Sequence, residues 1–194
     1  MLAQVGSVID YDSLAQKIVD LLVSSKLLQF SDGTVIVNSR FLKKILDGVA
    51  FSVSHRFEGV ADGTSVDLLF ENPSGSGKRV FLVAAEAISF GRGHIDVYRD
   101  SGVTVSGTTV EPVNLNFESS NESVCNVEYG GTYSLGTSVH RTIIPGGSKV
   151  RAIGSAVEIG ESVVMSENHN LLFRVTNKSG AATDMSIRLI WWEE

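Results

Sequence analysis

The chain has 194 residues, 43% hydrophobic and 20% charged, which supplies one self-sufficient core and excludes a disordered tail or a coiled coil. A formal net charge of −6 works against a nucleic-acid-coating surface, which needs clustered Lys and Arg. A single cysteine, Cys125, excludes an intramolecular disulfide framework and a Cys-rich zinc site, while 19 glycines against 3 prolines point to many tight turns.

From the N-terminus, Ser13 and Gln16 fit a capping box, and Leu14, Ile18, Leu21 and Leu22 recur at helical spacing. This predicts a helix over about 13–25. Ala15, Val19 and Val23 widen its apolar stripe beyond the roughly 100° that one core covers. A turn signal, Phe30-Ser31-Asp32-Gly33-Thr34, separates Leu27-Leu28 from Val35-Ile36-Val37 and predicts a small hairpin. Asn38 or Ser39 caps a second helix over about 40–47, with Phe41, Leu42, Ile45 and Leu46 as its stripe and Gly48 as its stop.

At Val49 the period switches to two. Val49, Phe51, Val53, His55 and Phe57 alternate with small or polar residues, and so do Val66, Leu68 and Phe70. The nearly all-apolar run from Val80 to Phe90 predicts a strand covered on both faces. Further strands are predicted near 94–99, 110–117, 124–129, 139–144, 148–153, 156–165, 171–177 and 184–192, separated by Gly-rich turns. Short strands at this spacing indicate an antiparallel two-sheet sandwich or a barrel. The domain division is therefore a helical segment, 1–48, and a mainly β domain, 49–194. Leu68-Leu69-Phe70 and Leu171-Leu172-Phe173 are each followed by a Gly/Ser loop and another strand, an internal echo that duplication or ordinary convergence would produce.

Motifs for chemistry fall short. Gly75-Ser76-Gly77-Lys78 looks like the end of a phosphate loop, but Arg79 stands where Ser or Thr is needed and a strand follows in place of a helix. His55, His94, His140 and His169 have no zinc-pair spacing, and His94 with Asp96 reads as a surface pair on a strand. Glu158, Glu161 and Glu167 sit in turn-like segments and read as solvated charges. Tyr129 and Tyr133 flank Gly130-Gly131 at a loop tip. The reading is no enzyme, no cofactor and no metal.

The chain closes on Ile190-Trp191-Trp192-Glu193-Glu194. Two indoles on opposite faces of one strand cannot both enter one core, so one packs inward and the other covers the helical segment or another subunit. No basic region precedes an apolar run in residues 1–30, and no apolar stretch approaches the roughly 20 residues of a membrane helix, so a soluble, cytoplasmically made chain is expected.

The stretch from Asp67 to Glu194 resembles small structural modules of tailed bacteriophages and archaeal viruses. The resemblance is carried by Phe70-Glu71-Asn72-Pro73-Ser74-Gly75-Ser76-Gly77-Lys78, Pro112-Val113-Asn114-Leu115-Asn116, Pro145-Gly146-Gly147-Ser148, Arg174-Val175-Thr176-Asn177 and the closing Trp191-Trp192. It implies a jelly-roll-like virion protein without an active site, assembled in the host cytoplasm, whose partners are copies of itself and other virion proteins. The expected assembly interface is Leu14, Ile18, Leu21, Leu22, Phe41, Ile45, Trp191 and Trp192, in a homo-oligomer such as a trimer or higher ring. The alternative is a carbohydrate- or receptor-binding sandwich on the same virion, with a host-surface glycan or receptor as partner.

Overall fold

Alternating burial along long strands organises the described part of the chain, which in this computed structural model comprises residues 16, 17, 19–21, 28–31, 34–37, 40–145, 156, 157 and 163–194. The chain divides into two units, Met1–Leu46 and Asp47–Glu194. In the first, residues 16, 17 and 19–21 are helical. The Gln16 side-chain amide donates to Asp20 at 2.8 Å, one turn on. Strands β1 (Leu28–Ser31) and β2 (Thr34–Val37) pair antiparallel with Ser31 opposite Thr34. A helix follows at Arg40–Leu46.

The second unit is mainly β. One large antiparallel sheet contains β3 (Ala50–Val60), β5 (Val80–Ser89), β9 (Val113–Asn114), β13 (Ala156–Val157), β14 (Val163–Met165) and β16 (Thr183–Glu193), in the order β13-β5-β16-β3-β9 with β14 also on β5. The other contains β4 (Ser65–Asn72), β6 (Gly93–Arg99), β8 (Thr108–Thr109), β10 (Asn126–Tyr129), β12 (Thr137–Ile144) and β15 (His169–Asn177), in the order β12-β6-β15-β4-β10-β8. Short strands β7 (Gly102–Val105) and β11 (Thr132–Ser134) pair separately. From β3 to β6 each successive strand crosses from one sheet to the other, and so do the steps from β12 through the short β14 to β15 and β16. The two four-strand layers β3-β16-β5-β14 and β4-β15-β6-β12 give the jelly-roll order, so the sandwich alternative holds and the barrel does not.

The inner faces meet in one core, with Phe51, Phe70, Phe173, Ile95, Ile187 and Trp191 among its fully buried side chains. The internal echo has a structural meaning. β4 and β15 are neighbours, and the two triplets pair with each other: Leu68 with Phe173, Leu69 with Leu172, Phe70 with Leu171. Each strand ends in a fully buried asparagine that fastens its corner. Asn72 donates to the carbonyls of Lys78 and Met165, and Asn177 to those of Val60 and Ala181.

Three expectations change. β5 is fully buried on one face only: Val80, Leu82, Ala85, Ala87 and Ser89 are buried, while Phe81, Val83, Ala84 and Glu86 are half-buried and Ile88 is exposed. A bulge in the pairing with β16, where Trp191 opposes Leu82 and Ile190 opposes Ala84, slips the phase by one residue and produces the continuous apolar run. The strand expected at 110–117 shrinks to Val113–Asn114, because Asn114, Asn116 and Ser119 side chains accept backbone N–H groups two residues on and fold the chain into turns. β7 was not expected, and all four of its residues are exposed, so no burial period marks it. The strand expected at 148–153 lies outside the described residues.

Candidate functional site

The structure disposes of several sequence candidates. Gly75 and Gly77 take φ of 81° and 66° in the β4–β5 connection, and the Gly75 N–H donates to the Glu167 carboxylate at 2.8 Å. A carboxylate of the same chain thus takes an amide that a phosphate would need, and Glu167 is a tethered turn charge. The tip tyrosines also serve the fold. Tyr133 is buried, and its hydroxyl donates to Glu128 at 3.1 Å; burial first and the Glu128 charge second push its phenol up. Tyr129 stacks on His55 with ring centroids 3.6 Å apart, and burial lowers the His55 pKa. Among the described residues no cluster of three His, Cys, Asp or Glu is placed to hold a metal ion, and no helix is long and apolar enough to cross a membrane.

Of the expected interface residues, Leu14, Ile18 and Leu22 lie outside the described residues. Leu21 is helical and 67% exposed, and Phe41 and Ile45 share a face of the helix Arg40–Leu46 and are half-buried. Trp191 and Trp192 are both buried within the chain. Trp191 packs on Phe70 in the core, with centroids 4.8 Å apart, and its Nε1 donates to Glu193 at 3.0 Å. Trp192, on the opposite face, stacks flat on Phe81 at 3.7 Å. The Glu193 carboxylate is itself buried and also accepts from the Ser123 hydroxyl at 2.6 Å and the Val124 N–H at 3.2 Å. It ties the end of β16 to the segment entering β10. Cys125 is beside it, and burial, reinforced by the Glu193 charge, pushes that thiol up.

The outer face of the β12-β6-β15-β4 layer carries an ordered set of charges. Register places Asp67, Arg174, Asp96 and Arg141 in one row across four strands. The row alternates in sign and ends at β12. Asp67 and Arg174 are joined by a fork, Nε to Oδ1 at 2.8 Å and Nη2 to Oδ2 at 2.7 Å, and these bonds raise the Arg174 pKa. The Arg141 Nε stands 3.3 Å from the Asp96 Oδ1, and its side chain is 66% exposed. On one side of this row lie Leu69, Leu172 and Tyr98, which form a small second core with Tyr133. On the other lie Ser65, Thr176, His94 and Ile143.

β12 has β6 as its one strand neighbour among the described residues, so its eight-residue outer edge is an unpaired ladder there. Val139 and Ile143 flank Arg141 and are 47% and 61% exposed. The sequence located this strand but could not reveal that it is an edge, because alternation reads the same on central and edge strands. A second feature adjoins it, a cleft of about 330 Å³ lined by Val139, Arg99, Asp100, β14, Ser166 and the start of β15 at His169–Leu171. The His169 imidazole and the Asp100 carboxylate meet there at 2.7 Å. No family model matches the chain, and no curated protein matches it significantly.

Proposed function

We propose that the chain is a structural subunit of a virus particle that acts by protein–protein contact. The observation that carries the contact reading is the β12 edge. An eight-residue strand with Val139 and Ile143 exposed around Arg141 offers backbone groups and apolar side chains together, which is what strand addition uses. The jelly-roll strand order supports the virion part by analogy of architecture, since capsid and lectin domains use it among others. The sequence resemblance from Asp67 to Glu194 points the same way. The helical segment supplies further contacts between copies in this reading.

Light scattering on the purified full-length protein at micromolar concentration tests it. A homo-oligomer of fixed mass is expected, falling to monomer or to aggregate in the Ile18→Asp, Leu22→Asp double variant. A wild type that stays monomeric overturns the homo-oligomer, and a double variant that keeps the wild-type mass overturns the role of the helical stripe. The carbohydrate- or receptor-binding alternative has the His169–Asp100 cleft in its favour. Glycan-array binding that disappears in His169→Ala moves the reading there.

A further inference from the structure

We infer that the β12 edge takes an extended segment of another protein with an acidic residue opposite Arg141 and an aliphatic residue opposite Ile143. This rests on the contact reading above and adds the chemistry of the partner. The row Asp67–Arg174–Asp96–Arg141 alternates in sign up to the edge, so the next position in the row, supplied by an added strand, faces a guanidinium. That guanidinium is the open end of the row. Arg174 spends both arms of its fork on Asp67 in hydrogen bonds of 2.7 and 2.8 Å, whereas the Arg141 Nε stands 3.3 Å from Asp96 and its side chain is 66% exposed. One row over, Ile143 is 61% exposed and lies on the same outer face, two residues from Arg141, so an aliphatic neighbour two residues from the acid covers it.

The same register argues against a second copy of β12 as the occupant. Thr137–Ile144 contains no Asp or Glu, so a two-fold β12–β12 pair sets Arg141 opposite another Arg141 or opposite an uncharged residue. Neither continues the alternation.

The probes are synthetic strand peptides of alternating threonine and valine with glutamate, glutamine or lysine at the centre, labelled and titrated with the full-length protein at low salt by fluorescence anisotropy. The glutamate peptide is expected to bind about threefold tighter than the glutamine peptide and about tenfold tighter than the lysine peptide. Arg141→Gln abolishes this preference and Arg141→Glu reverses it; circular dichroism establishes that both variants are folded. A glutamate peptide N-methylated at alternate residues lacks the donors for strand pairing and is expected to lose binding. If N-methylation abolishes binding but the three central residues bind alike, the edge reading stands and the acidic partner is wrong. If N-methylation changes nothing, or none of the peptides binds, the edge reading falls with it. If self-association of the protein competes with the peptides, a second copy owns the edge and the inference is overturned.

Discussion

β16 and β12 are built alike and end up with opposite fates. Each carries an arginine on its outer face that meets a carboxylate on the next strand, Arg188 with Glu86 at 3.5 Å and Arg141 with Asp96 at 3.3 Å. Each alternates apolar residues around it. β16 lies between β3 and β5, and Met185, Ile187, Leu189, Trp191 and Trp192 are all buried. β12 has one strand neighbour among the described residues and leaves Val139 and Ile143 in the open. The contrast is one of face as well as of place in the sheet: Ile144 on the inner face of β12 is fully buried like Ile187 and Leu189 of β16, whereas Val139 and Ile143 lie on its outer face.

Substitutions along the two strands sharpen that contrast. Trp191→Ala removes an indole packed on Phe51 and Phe70 and is expected to cost about 4 kcal/mol in denaturant unfolding. Glu193→Ala leaves the Trp191 Nε1, Ser123 and Val124 donors without their acceptor, for about 2 kcal/mol, and Glu193→Gln recovers part of the loss because one oxygen still accepts. In the sheet beside β12, a double-mutant cycle on Asp67 and Arg174 is expected to give a coupling of about 1 kcal/mol, reduced by salt to the extent that the pair is exposed. On β12 itself Ile143→Thr should change stability by less than about 0.5 kcal/mol. A loss of several kcal/mol there would mean that Ile143 is covered and that β12 is no edge.

Much of the architecture was readable from local pattern. The period switch at Val49, the paired strands expected on either side of residues 32–33 and the Gly48 stop, which takes φ of +69°, all correspond to elements. What escaped the sequence were relations between distant residues. The all-apolar look of β5 came from a bulge set by its pairing with β16, which no single-strand pattern encodes. Asn114 and Asn116 read as strand residues until their side chains are seen to accept nearby N–H groups. The charged row needs the order of four strands before Asp67, Arg174, Asp96 and Arg141 become neighbours, since they are scattered over more than a hundred positions of chain. The candidate site therefore could not be read locally, whereas the strands that build it could.

Cys125 gives the molecule an internal clock. It is the sole thiol, it is 5% exposed, and it sits where Glu193 joins the two sheets. Its ionisation is pushed up by burial and by the Glu193 charge, so the reactive thiolate is suppressed in the closed sandwich. A thiol reagent therefore modifies the chain only as fast as the structure around this thiol opens, and the labelling rate counts those openings. Raising the pH supplies the sign of the coupling. Because the folded thiol titrates above the unfolded one, its contribution to stability is whole below about pH 8.5 and drains away as the pH climbs further. Alkaline solution thus speeds the clock twice, by loosening the joint and by arming the thiol once it is out.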